Sequence, residues 1–195
     1  LQARSDGHIQ VLCRHPFVPE GQENLAYKTA NLLKQLSGKS SLGVTITIAK
    51  GIPVAAGLGG GSADAAAVLK GLNRLWDLNL STDQLAQAGL KLGADIPFCL
   101  MGGTALARGI GEKLTRLPPP PKLWVVLLKP NVGVSTAEVY KKYNDTAVHR
   151  RPDTSRLIAA LAAGSLEAIS QAMANVLESV TFPRLPVLRH LKQKA

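Results

Sequence analysis

The residues best placed to do chemistry lie in "PVAAGLGGGSADAAAVLKGLNRLW", Pro53–Trp76, where Gly57, Gly59, Gly60 and Gly61 run directly into an alanine-rich apolar pattern. Glycines between a strand and a helix expose backbone N–H groups with no β-carbon in the way, and aim them where the helix dipole is positive. That is a way to cradle a phosphate. Ser62 can cap the helix or reach a phosphate or its metal, and the alanines behind it let the helix pack tightly. The alternative is a mobile turn without a ligand, which rarely needs three consecutive glycines ahead of a well-formed amphipathic helix. The spacing excludes two other phosphate loops. No lysine precedes Ser62, so GxxxxGK[ST] fails, and GxGxxG fails at its last position, where Ser62 stands.

Phosphoryl transfer to a hydroxyl also calls for a carboxylate that can orient the nucleophile and take its proton. Asp95, in "GADIPF", sits at a break between elements, flanked by Gly93, Ile96 and Phe98. Turn chemistry before a proline is the competing reading of this residue. Asp64 is a second candidate, but at the start of a helix it is expected to serve the dipole. No metal site is indicated: Cys13 and Cys99 stand far apart without CxxC spacing, and His8, His15, His149 and His190 are scattered. Both cysteines are expected to be reduced and the histidines to lie at the surface.

The elements that must hold these residues can be read from periodicity. "HIQVLC" reads as extended, followed by a loop punctuated by Pro16, Pro19 and Gly21. Leu25, Thr29, Leu32, Leu33 and Leu36 recur at helical spacing from Asn24, with Gly38 as the stop. "VTITIAK" alternates as a half-buried strand. After the glycines, Ala65, Val68, Leu69, Leu72, Leu75 and Trp76 share a helical face, and Ser81 with Gln84 makes a capping box for a helix ending near Gly93. Glycines and Pro97 in "GADIPFCLMGGTALARGIGEKL" predict short strands and turns. "LPPPPK" reads as a stiff connector and "LWVVLLKP" as a buried strand. Ser135 and Glu138 predict a capped helix over "TAEVYKKY". From Pro152 the pattern is helical, with Leu166, Ile169, Met173, Val176 and Leu177 on one face and Pro183 and Pro186 separating a last basic helix.

The 195 residues, 46% hydrophobic, suffice for one large domain or two small ones and exclude a disordered chain. Lys and Arg outnumber Asp and Glu by 23 to 13, and the resulting charge of +10 favours anionic partners in general. With aromatics at 4% and basic residues mostly single, the densest group being His149, Arg150 and Arg151, there is no interleaved pattern for nucleic acid. No apolar run approaches a bilayer span, and "LQARSDGHIQV" lacks the regions of a secretory signal. A cytoplasmic protein is expected, without membrane or nucleic-acid partners, and the sequon at Asn144–Thr146 reads as coincidence.

"PVAAGLGGGSA" resembles the second motif of the GHMP kinase superfamily, Pro-x-x-x-Gly-Leu-Gly-Ser-Ser-Ala-like. Together with "LGADIPFC", "GVSTAEVY" and "NVLESV", in order along essentially the whole chain, it is most similar to the branch acting on 4-diphosphocytidyl-2-C-methyl-D-erythritol in the non-mevalonate isoprenoid pathway. Homoserine and mevalonate kinases stay open on the glycine loop alone. The resemblance implies an α/β (α+β) fold of the two-domain GHMP type, with a ribosomal protein S5 domain 2-like ATP-binding part over 1–121 and the helical start of a C-terminal domain over 122–195. It implies ATP and Mg²⁺ as cofactors. It makes Pro53, Val54, Ala55, Ala56, Gly57, Leu58, Gly59, Gly60, Gly61, Ser62 and Ala63 the ATP phosphate loop, and Asp95 the base that activates the substrate hydroxyl. Asn24 and Lys50 match positions on the adenine side of ATP, and Thr136 matches a substrate-side polar position.

Family members also carry a "PAKINL"-type strand with a catalytic lysine and a "DGYH"-type segment ahead of the position matched by Leu1. A glycine-rich "SGSGPT"-type motif follows the position matched by Ala195. None is present in these residues, so the chain reads as the central portion of such a kinase, either active in itself or a non-catalytic ATP-binding module of the same fold. Exposed sheet edges and apolar surface are expected to favour self-association.

Overall fold

The structure is a computed structural model that describes residues 1–130, 132–143 and 151–194, apart from the side chains of residues 136 and 137. It divides into two compact units, Leu1–Arg116 and Leu117–Ala195. The sequon and the basic pair His149 and Arg150 lie outside the described residues.

The first unit is built on a three-stranded sheet in the order β1-β3-β2, with β1 Gln2–Arg4, β2 Ile9–Cys13 and β3 Gly43–Ile48. β1 runs antiparallel to β3, Gln2 opposite Thr45, while β2 is parallel to β3, Ile9 opposite Val44 and Cys13 opposite Ile48. Parallel neighbours need a crossover, and α1, Leu25–Ser37, supplies it. Asn24 caps its start and Gly38, left-handed at φ +66°, ends it. β1 was not foreseen. Its last residue, Arg4, pairs with Asp6, whose carboxyl is held well below the usual range first by that guanidinium and then by the His8 N–H.

α1 buries Ala26, Thr29, Ala30 and Leu33, whereas Leu36, expected on that face, is 53% exposed. The small residues allow close approach to α2, Gly60–Leu75, and the buried Thr29 hydroxyl is satisfied by donating to the Leu25 carbonyl at 2.7 Å. α2 buries Ala65, Val68, Leu69 and Leu72 as expected, but Leu75 faces solvent. Trp76, buried beyond it, donates its indole N–H to Gly43 O at 3.4 Å. The predicted capping box at Ser81 and Gln84 is present at α3, Thr82–Leu90.

The segment expected to hold only short strands and turns opens with a helix, α4, Ile96–Met101. Pro97 does not break it because it falls in the first turn, where a missing N–H costs nothing. Strands β4, Thr104–Arg108, and β5, Lys113–Leu117, then pair as a hairpin. Ile96 and Leu100 join the core, and Ile96 fits against α3 only because residue 89 is glycine. A β-carbon there would stand 2.5 Å from Ile96 Cγ2 and 3.1 Å from Leu69 Cδ1. Alanine gains about 1 kcal/mol over glycine in a helix interior, while overpacking costs about 1–3 kcal/mol. Gly89→Ala is therefore expected to lower stability by about 1–2 kcal/mol at the upper end of that balance, read as a lower urea midpoint with unchanged slope. A raised midpoint would contradict this packing.

In the second unit the described residues from Pro118 onward form helices and coil. α5 spans Thr136–Tyr143, α6 Thr154–Ala163, α7 Leu166–Ala172, α8 Glu178–Arg184 and α9 Pro186–Lys194. "LWVVLLKP" is not a buried strand: Trp124 is 90% exposed and Val126 81%. A strand needs a neighbour for its backbone groups, and no strand beyond Leu117 is present among the described residues to provide one. The face expected from Leu166 to Leu177 is interrupted, because the backbone turns extended at Met173 and the Asn175 side chain accepts from Leu177 N–H at 3.0 Å. Pro183 lies inside α8 instead of ending it, while Pro186 opens α9.

Candidate nucleotide site

β3 delivers the chain at Ile48 into a loop whose reversal uses positive φ at Ala55, Gly57 and Gly59. The helix starts earlier than expected, inside the glycines. Gly59, at φ +66°, is the N-cap, and Ala63 N–H closes the first helical bond on its carbonyl at 2.9 Å. Ser62 is thus the third helical residue and not the cap, and α2 has no side-chain cap at all. The N–H groups of Gly60, Gly61 and Ser62 precede the first intrahelical bond and remain available to an anion.

These residues line a cavity of about 390 Å³ together with Phe17–Pro19, Glu23–Leu25, Lys50, Pro53–Gly59 and Asp64. A β-carbon on Gly60 would stand 3.0 Å from both Ile52 Cγ2 and Lys50 Nζ, so any larger residue at this helix end would make both neighbours shift. Lys50 and Asp64 form an ion pair, Nζ to Oδ2 at 2.5 Å, with side chains 7% and 28% exposed. Asp64 therefore does not serve the helix dipole as expected: it lies beyond the first turn and is committed to the lysine. Asn24 lines the cavity with its amide already engaged, Oδ1 accepting from Ala26 N–H at 2.8 Å and Nδ2 donating to Pro19 O at 2.6 Å. It holds the Phe17–Pro19 loop against the start of α1.

Ala63 and Asp95 do not line this cavity. Asp95 is exposed at the N-cap position of α4 and makes no capping bond with its side chain. Its loop reaches the glycine end of α2, since a β-carbon on Gly93 would lie 4.0 Å from Ser62 Oγ. The carboxylate is felt locally: burial pushes the Cys99 thiol up, and the charge of Asp95 adds to the shift. Thr136 opens α5, but the expectation there concerns a side chain outside the described residues. The sequence reading missed Phe17, Val18, Pro19, Glu23 and Leu25 as lining residues. Their signal was the cap at Asn24, which ties that loop to the site. Among the described residues no group of three His, Cys, Asp or Glu is placed to hold a metal, and no helix is long and apolar enough to cross a membrane.

A helix end opened by glycines, with a lysine side chain only 7% exposed beside it, is an arrangement able to receive an anion such as a phosphate. Residues 24–103, from the cap of α1 to the residue before β4, match the GHMP kinases N terminal domain. Over 195 residues the sequence is 48% identical to a 4-diphosphocytidyl-2-C-methyl-D-erythritol kinase of Geobacillus sp., covering 100% of this chain and 66% of that protein. Over 192 residues it is 50% identical to the enzyme of the same name from Exiguobacterium sibiricum, covering 98% and 66%. A crystal structure of 4-(cytidine 5'-diphospho)-2C-methyl-D-erythritol kinase aligns with a TM-score of 0.71 at 34% identity, over 94% of this chain and 64% of that one. A homoserine kinase from Cytophaga hutchinsonii shares the fold, with a TM-score of 0.65 at 20% identity over 86% and 58%. Residues 24–103 belong to the GHMP kinase family, and the chain has its mixed α/β fold. It spans 66% of the length of the two relatives named first.

Proposed function

We propose that this chain acts in the ATP-dependent phosphorylation of the 2-hydroxyl of 4-diphosphocytidyl-2-C-methyl-D-erythritol, a step of the non-mevalonate isoprenoid pathway in the cytoplasm. The observation that carries the reading is the glycine cradle at the start of α2, in a chain 48–50% identical over its length to kinases of that name. The free N–H groups of residues 60–62 take the phosphate charge, and the loop around Phe17 and Asn24 takes the nucleoside side. Asp95, on the loop that reaches Ser62 through Gly93, orients the hydroxyl and accepts its proton, with no covalent enzyme intermediate. Mg²⁺ would arrive on the ATP phosphates and neutralise their charge. Ser62 offers a hydroxyl oxygen there, Asp64 being committed to Lys50.

Mass-spectrometric detection of the phosphorylated substrate after incubation with ATP and Mg²⁺, beside an Asp95→Asn control, tests this directly. Product that vanishes in the control supports the reading. ATP bound without product identifies the chain as a nucleotide-binding module only, and turnover of homoserine instead moves it to another branch of the family.

Self-association belongs to the same reading. Leu123–Leu128 is a contiguous apolar run with every side chain at least 41% exposed, a patch of the kind that marks association. Size-exclusion chromatography is expected to show an elution volume that shifts to larger species with concentration. A sharp, concentration-independent monomer peak would remove this proposal.

A further inference from the structure

One ion pair in the cavity wall is used neither by the phosphate cradle nor by the chemistry assigned to Asp95. Lys50, just past the end of β3, and Asp64, in the second turn of α2, are both among the least exposed charged side chains of the site, at 7% and 28%. The ammonium also sits 3.0 Å from the point where a β-carbon on Gly60 would stand, so it is seated against the first helical residue. The remaining charged group lining the cavity, Glu23, is paired with Lys28 at 3.2 Å, and its side chain is 84% exposed.

A carboxylate near a helix N-terminus that is to receive phosphates is unfavourable by its charge alone, since it repels the ligand. Its location makes sense if it works on the lysine. A lysine stem is flexible, and an ammonium has three N–H donors, of which the pair with Asp64 uses one. Fixing the ammonium this way leaves the other two for the nucleotide at a defined place, and ordering the lysine beforehand lowers what binding must spend on it.

We propose that Asp64 is a positioning residue for nucleotide binding: it holds the Lys50 ammonium on the cavity wall beside Gly60, ready to meet ATP. This rests on the nucleotide reading of the site. The charge and the position predict opposite signs. If Asp64 contributed only a negative charge, removing it would tighten ATP binding; if it positions Lys50, removing it weakens binding.

The test uses the parent chain, Asp64→Ala, Lys50→Met and the double variant, with ATP affinity measured by calorimetry at fixed salt and the rate of amine labelling at Lys50 read by mass spectrometry. Asp64→Ala is expected to weaken ATP binding about tenfold, the scale of one charge-assisted hydrogen bond, and to speed labelling of Lys50. In the Lys50→Met background the same change is expected to cost nothing or to tighten binding. Asp64→Asn, which keeps the shape and loses the charge, serves if the alanine variant does not fold, with the same expected direction. Parent-like or tighter ATP binding by the single Asp64 variant overturns the inference. So does an equal loss in both backgrounds, which would mark a general effect on the fold, or an unchanged labelling rate. A parent chain that fails to bind ATP removes the nucleotide reading itself, and the role of Asp64 with it.

Discussion

Gly60→Val is expected to weaken ATP binding about a hundredfold while leaving the chain folded. The β-carbon alone would enter space 3.0 Å from Ile52 Cγ2, 3.0 Å from Lys50 Nζ and 3.2 Å from Ile52 Cβ, and valine adds two methyl groups to it. Both neighbours can give way. Lys50 presents the far end of a flexible side chain, and Ile52 is 38% exposed, so the core is spared. The displacement falls on the site: the ammonium is pushed from Asp64, and the first free N–H of α2 shifts away from the phosphate it is to meet. Calorimetry with ATP reads the loss, and an unchanged thermal midpoint shows that it is local. Gly60→Ala, which brings the same close contacts without the methyls, should fall between parent and valine. Parent-like affinity in Gly60→Val would mean that the phosphates do not sit at this end of α2.

The parts of this site that follow local rules could be read from the sequence. Asn24 and Gly38 bound α1 because capping chemistry is a matter of a few adjacent residues. Alternation in "VTITIAK" gave β3, and the glycine run marked the entry to α2 even though the helix begins within it and not after it. What was missed depends on residues distant in sequence or on position within an element. Pro97 looked like a breaker, but a proline in the first turn of a helix starts it instead, and only the backbone shows which turn it occupies. The pairing of Lys50 with Asp64 joins a strand end to a helix 14 residues later across a reversing loop, a geometry no local pattern encodes. "LWVVLLKP" has the composition of a buried strand, yet composition states a preference and pairing needs a partner. Small residues on α1 won the buried face from Leu36 because close packing against α2 favours alanine there.

Asp95→Asn is the second large effect, and it should appear in turnover alone. A positioned general base contributes about 10²–10⁴-fold to a proton-coupled transfer, so the rate of phosphorylated product is expected to fall by that factor. Three features make the change clean. The Asp95 side chain makes no capping bond at α4, so asparagine removes no hydrogen bond that holds the helix. The residue is exposed, which rules out a buried polar group left unsatisfied. It also lies outside the cavity formed by the glycine loop, Lys50 and Asn24, so ATP affinity should stay within about twofold of the parent, a difference of a few tenths of a kcal/mol. Single-turnover measurement with saturating ATP separates the transfer step from product release. A variant that keeps its rate returns Asp95 to its other reading, a turn residue ahead of Pro97. A variant that loses ATP affinity in proportion to rate would place the carboxylate in nucleotide binding, and the base for the hydroxyl would have to be sought on another element.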